Sequence, residues 1–366
     1  MRTPTIFRFF WVFLISLAGC GPSQEVIPTP KPEMKAWQLH PEVLLDRRLQ
    51  IQARATKDRM WLMGNNYLLS LDTGHRLVSD VLVAPLGNQL WNRSFLSNDY
   101  FATELEDQYA FSLRRNDNPD KQVLVNLREL DSTVFQLNSY YNPPMAINSR
   151  GQILVGGWVN AASSPGVTGI PLFVLQVAET DDSLKISLDR RTRVNEGLVN
   201  YAGHNYLNGI YAFGDTFYFS NTENRFYRLL HDQEPQLLFP FSLVHMFKKN
   251  DTLFAIGYQQ DFTLGLGFLP PGAQQWQTRY FGELDNGFMR YESVENRIVI
   301  YRGSQLWEIV PNANYNYLTI NELNNLGLDQ TTIHDIEFFQ GRVYICTSRG
   351  LYFQPIEDFF TFKPEP

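Results

Sequence analysis

The side chains able to act as nucleophiles, bases or metal ligands are few and scattered. Six histidines occur, at His40, His75, His204, His231, His245 and His334. None falls into a His-x-His or His-Glu-x-x-His spacing that would set two imidazoles on one metal ion. A histidine site would therefore have to be assembled by the fold. His245 and His334, each at the start of an expected inner strand, are the first candidates for it. Acidic groups gather at Glu104, Glu106 and Asp107, and again at Asp117 and Asp120. The second group has the acidic density of a calcium loop but lacks its glycine and distal glutamate, so it reads as a solvated turn. Glycoside hydrolysis needs two carboxylates roughly 5–10 Å apart, which sequence spacing between separate strands does not fix. Neither a Gly-x-Ser-x-Gly elbow nor a phosphate-binding loop occurs. Cys346 lies in Val343-Tyr344-Ile345-Cys346-Thr347, an apolar strand pattern in which a thiol is expected to be buried and inert. The residue types thus single out no catalytic residue, no metal ligand and no cofactor.

The other cysteine stands in a different setting. Arg2 and Arg8 flank the start of a short apolar run from Phe9 to Ala18, too short for the roughly 20 residues of a membrane-spanning helix. The run closes on Leu17-Ala18-Gly19-Cys20, which resembles the lipobox of bacterial lipoproteins. That resemblance implies removal of residues 1–19, a diacylglyceryl group on the Cys20 thiol and acylation of the new amino terminus. Several acyl chains hold a protein to a bilayer stably where one holds it marginally. Gly21, where an aspartate would favour retention, implies release to the outer membrane by analogy with enterobacterial lipoproteins. The alternative is an ordinary secretory leader in which the cysteine is incidental. Residues 20–35 carry Pro22, Pro28, Pro30 and Pro32 and read as a semi-rigid spacer at about 3 Å per residue. Globular composition begins at Ala36, which sets the expected domain as 36–366.

The elements that must position any site are strands. A polar turn, a short apolar strand, a second turn and a second strand recur along the chain, as in Asp215–Phe219 followed by Arg225–Leu229. Met60, Tyr100, Ile153, Phe217, Leu253, Ile298 and Val343 mark seven copies, separated by 40, 53, 64, 36, 45 and 45 residues. A four-stranded propeller blade takes about 40–50 residues. Extended loops, such as the Ser/Gly/Ala-rich stretch after Asn160, account for the long steps. The fold class expected is all-β: a β-propeller of seven blades, each a four-stranded antiparallel sheet. A β-sandwich or two smaller β domains is the alternative.

The last copy also resembles one repeat of two-component-regulator propellers. Leu326-Gly327-Leu328, Ile333-His334-Asp335-Ile336, Gly341–Ile345, Thr347 and Gly350-Leu351-Tyr352 carry the likeness, with Tyr344 where that repeat often has tryptophan. The match covers some 30 residues and implies fold, not function. Gly156-Gly157-Trp158 has a kelch-like double glycine once only.

Charge narrows the partners. Without Arg2 and Arg8, the 31 basic residues fall to 29 against 38 acidic ones. That balance is no footprint for nucleic acid or for anionic lipid. The function expected is a non-catalytic binding or scaffold module, lipid-anchored in the cell envelope, for a protein, peptide or glycan. The loop 161–168 is a candidate binding element. The alternative is an envelope hydrolase or lyase with its site in the propeller channel.

Overall fold

The computed structural model describes residues 34–43, 50–64, 67–82, 93–104, 110–132, 134, 136–137, 145–160, 169–194, 204–205, 207–221, 223–259, 261, 263–283 and 289–362. After a short strand β1 (Gln38–Leu39), the chain runs through seven antiparallel sheets in order. Blade one is β2 (Gln50–Ala55), β3 (Arg59–Gly64), β4 (Tyr67–Asp72) and β5 (Leu77–Leu82). Blade two is β6 (Arg93–Phe95), β7 (Tyr100–Glu104), β8 (Ala110–Arg115) and β9 (Gln122–Asn126), followed by one helical turn, α1 (Leu127–Leu130).

Blade three is built on β11 (Met145–Ile147), β12 (Gln152–Asn160), β13 (Ile170–Glu179) and β14 (Leu184–Val194). Two further short strands, β10 (Gln136–Leu137) and β15 (His204–Asn205), pair with the far half of the long β12. Blade four is β16 (Leu207–Phe213), β17 (Thr216–Asn221), β18 (Phe226–Leu229) and β19 (Gln236–Phe239). Blade five is β20 (Ser242–Lys249), β21 (Thr252–Tyr258), β22 (Thr263–Leu269) and β23 (Gln277–Glu283). Blade six is β24 (Arg290–Val294), β25 (Arg297–Arg302), β26 (Gln305–Pro311) and β27 (Leu318–Glu322). Blade seven is β28 (Ile333–Phe339), β29 (Arg342–Thr347) and β30 (Gly350–Pro355), with β1 as its fourth strand and the turn α2 (Ile356–Phe359) after it. The fold is a seven-bladed β-propeller, as the spacing of the repeats predicts.

Each marker of the repeat falls on the second strand of its blade. Those strands are apolar on both sides because each sheet packs against two neighbours, and the two-residue period divides the side chains between them. Ile298 and Ile300 pack toward blade five, whereas Val299 and Tyr301 pack toward blade seven. Val343 and Ile345 pack toward blade six, whereas Tyr344 and Cys346 face blade one. Among the described residues, seven apolar clusters form this way, one at each seam of the ring. The seam between blades four and five is rich in aromatic rings, with Phe239 and Phe241 stacked at 4.8 Å and Trp276 edge-on to Phe226.

The ring is closed by β1, the strand that precedes the first blade. Gln38 pairs with Phe353 and Leu39 with Tyr352, and the His40 N–H donates to the Leu351 carbonyl at 2.8 Å. Trp37 is buried beside Phe359, and its Nε1 donates to the Asn324 carbonyl at 3.1 Å. Asn324 and Gln354 return the bond, both donating to the Lys35 carbonyl, at 2.7 and 2.9 Å. Gly327, at φ +93°, has the Trp37 backbone 3.3 Å from where a Cβ would stand. The Gly-Leu turn is glycine here because a side chain would collide with the strap and strain the backbone.

Candidate functional site

The first strand of each blade lines the axis, and four of these inner strands carry a one-residue bulge at matching places. The register shifts between Gln50 and Gln52 in β2, Asn208 and Ile210 in β16, Leu243 and His245 in β20, and Ile333 and Asp335 in β28. A bulge turns a carbonyl out of its ladder, so it needs a new donor. In β20 and β28 the preceding blade supplies it. Tyr211 Oη donates to Val244 O at 2.8 Å, and Tyr301 Oη and Arg290 Nη1 donate to His334 O at 3.2 and 2.8 Å.

Downstream of the bulge in β28, Asp335 and Glu337 project to one face, the side of blade one. Asp335 Oδ2 accepts the Ala53 N–H of β2 at 2.7 Å, and Oδ1 accepts the Ile336 N–H at 2.9 Å. The Glu337 carboxyl stands near the backbone N–H groups of Ala55 and Phe338, which favour its charged form. Glu292 of β24 stands close enough to feel both, and Arg290 of β24 and Arg54 of β2 are the nearby cations. These carboxyls have partial access to solvent along the axis yet are walled by protein on every side. Burial is therefore the main influence on their protonation. It pushes Asp335 up to about 6 against the pull of its two backbone donors, and Glu337 up to about 7 against the pull of Arg54. Glu292 is raised well above the usual carboxylate range by burial and then by the charges of Asp335 and Glu337.

These shifts have a definite sign. A carboxyl whose native affinity for protons exceeds its unfolded one stabilises the fold below pH about 4.5 and loses that contribution as pH rises through about 7. Glu337→Gln is expected to flatten the decline in stability between pH 5.5 and 8. At pH 8 it should raise stability by about 2 kcal/mol. Urea denaturation at the two pH values measures this. A variant less stable at pH 8 would mean that the attraction of Arg54 outweighs the cost of burial.

The sequence's own candidates divide. His334 occupies the bulge beside Asp335, so it belongs to this cluster; burial and then Arg290 lower its proton affinity. His245 also lies on an inner strand, but it is 9% exposed, packs on Phe247 and edge-on to Tyr211, and has no hydrogen-bond partner at Nε2 among the described residues. Burial alone pulls its pKa down to about 4, which keeps it neutral. His231 meets Gln152 at 2.9 Å and lies 3.8 Å from Asp189, far from the axial acids in sequence and blade. His204 is in β15, and its side chain lies outside the described residues.

Cys346 is a free, fully buried thiol on the seam with blade one. Burial, and then Asp335 and Glu337, hold its pKa well above the ordinary value, so it stays a thiol. Asp117 is gripped by Arg115 at 2.7 and 2.8 Å, and Arg115 also reaches Glu179 of blade three. The acidic turn is thereby part of an ion-pair network between blades. The Glu104 side chain, Glu106, Asp107, the loop 161–168 and Cys20 lie outside the described residues. Among the described residues, no group of histidine, cysteine and carboxylate side chains has the geometry to hold a metal ion, and no helix is long and apolar enough to cross a membrane.

The axial acids themselves were not singled out by sequence reasoning. The available signal was the alternation Asp335-Ile336-Glu337, which sets two carboxyls on one face of an expected strand.

No protein-family model matches the chain, and no curated protein matches it. Solved structures do share its architecture. The β-propeller domain of Cps50 (Swd1) from Myceliophteria thermophila is 10% identical, aligned over 84% of this chain and 97% of that one, with a TM-score of 0.52. The extracellular domain of the one component system BT4673 from B. thetaiotaomicron is 14% identical over 90% of this chain, with a TM-score of 0.54. Raptor from Chaetomium thermophilum is 9% identical over 91% of this chain, also at 0.54. This chain spans 44% of the BT4673 chain and 30% of Raptor. At these identities the likeness is one of fold.

Proposed function

We propose that this chain is a cell-envelope lipoprotein, held through lipid on Cys20, most simply in the outer membrane, whose propeller is a non-catalytic binding or scaffold module. Its partner would be an envelope protein, a peptide or a glycan. Leu17-Ala18-Gly19-Cys20 and the proline-rich spacer support the address. The observation that carries the role is how the axial acids are used. Asp335 spends both oxygens on backbone N–H groups, one of them across the seam at Ala53. A carboxylate committed in that way builds the ring and is poorly free to transfer protons to a substrate.

A second reading, an envelope hydrolase or lyase working in the channel, draws on the raised proton affinities of Glu292 and Glu337. Affinity capture from envelope extract separates the two, with full-length protein and Glu292→Gln run side by side. A stoichiometric partner retained equally by both supports the binding module. Turnover of an envelope glycan that disappears in Glu292→Gln, with no partner retained, supports the enzyme.

A further inference from the structure

The strap that closes the ring is held by a histidine whose place suits one protonation state. His40 follows β1 and is 2% exposed. Its Nε2 lies 3.0 Å from the His75 carbonyl, so this nitrogen carries the hydrogen and donates it. Its Nδ1 faces the backbone N–H groups of Glu42 and Val43, each at 3.3 Å, so that nitrogen accepts and is bare. An imidazolium in the same position would set an N–H against two N–H donors, out of reach of bulk water.

The charged and titratable neighbours come from three directions. On the strap itself, Glu42 favours a cation, but its Oε2 already accepts the Leu77 N–H at 2.6 Å. From the turn after β4, His75 contributes its carbonyl, and its ring is joined to Tyr344 Oη at 2.6 Å. Asp72 in the same turn accepts the N–H groups of Gly74 and Arg76. From β29, Arg342 opposes a positive charge on either ring, and Tyr344 lies against both. The Phe353 ring of β30 meets His40 edge-on at 6.0 Å.

The geometry points to His40 as a proton-operated latch: uptake of one proton at Nδ1 sets an N–H against those of Glu42 and Val43, breaks the turn 40–43 and loosens that end of the strap against blade one. The other end of the strap keeps its anchors, Trp37 Nε1 on the Asn324 carbonyl and the Lys35 carbonyl on Asn324 and Gln354, so the loosening is confined to residues 40–43. Burial lowers the proton affinity of His40 more than His75 and Glu42 raise it. This end of the strap is thus firm above the ordinary histidine value of about 6.5 and loosens as pH falls through the lowered one. This inference is independent of lipidation and of any partner.

Hydrogen exchange of the full-length chain tests it, read at the Glu42 and Val43 amides from pH 7.5 to 4.5 and corrected for intrinsic rate. Protection of these two amides should fall by about one decade per pH unit at its steepest, the signature of one proton, while Trp37, β25 and β29 keep theirs. In His40→Asn, whose Oδ1 can take the two N–H groups but binds no proton, protection should stay level. Protection of these amides independent of pH in the unaltered chain would overturn the proposal, as would an unchanged fall in His40→Asn. A fall abolished instead by His75→Asn would overturn it too. Should His40→Asn fail to fold, the His40 ring titration followed by NMR must coincide with opening at Glu42 and Val43 in the unaltered chain; separate midpoints contradict the latch.

Discussion

Cys20→Ser, exported behind an ordinary cleavable secretory leader in place of residues 1–19, is expected to move the protein from the membrane pellet to the soluble fraction almost completely. A serine hydroxyl offers no thiol for the diacylglyceryl thioether, so the released chain carries no lipid. Each buried methylene of an acyl chain contributes about 0.8 kcal/mol of membrane affinity, so losing several chains removes essentially all retention. The charge of the exported portion would not replace them, since its 29 basic against 38 acidic residues are a poor match to an anionic bilayer. Fractionation combined with intact mass of the unaltered protein checks this. A mature mass without lipid, or a Cys20→Ser protein that still pellets, would leave the ordinary secretory leader as the correct reading.

Gly257→Ala is expected to be the most damaging small substitution in the propeller. A Cβ at Gly257 would stand 1.8 Å from two ring carbons of Phe241 and 2.1 Å from the Ser242 carbonyl oxygen. Phe241 cannot retreat, because it is fully buried and stacked on Phe239, with Phe226 packed against both. The backbone oxygen cannot move without breaking the pairing of Leu243 with Gly257. Overpacking of this kind costs about 3 kcal/mol. Gly282→Ala is the matched control, since nothing lies within 4 Å of the position its Cβ would take. Urea midpoints should fall sharply for Gly257→Ala and barely move for Gly282→Ala. Equal midpoints would mean that the seam between blades four and five has room that its packing denies.

The parts of the fold legible in the sequence were those with long apolar runs. The second strands carry them because they are covered on both faces, and their recurrence gives the number of blades directly. The inner strands are harder to read. They are bulged, mix polar with apolar residues and touch solvent along the axis, so Asp335 and Glu337 look like ordinary surface acids until β2 is laid beside them. The closing strand is harder still. Two residues of ladder, Gln38 and Leu39, leave no periodic trace, and their partners stand more than 300 residues away. His40 illustrates the limit in a single residue. In sequence it is one of six unmotivated histidines; in the fold, His75 and two adjacent N–H groups fix its tautomer. His245 attracted attention for its place on an inner strand, and that placement holds, but its ring turns into an aromatic wall.

The most direct measurement of the account is in-cell cross-linking of the full-length protein in its own envelope, with mass spectrometry of what is captured. A reproducible envelope partner is expected, lost when residues 161–168 are altered and when Cys20→Ser removes the protein from the membrane. The absence of any partner at matched expression, together with turnover of an envelope substrate, would contradict the binding module and place the axial carboxyls at the centre of a catalytic one.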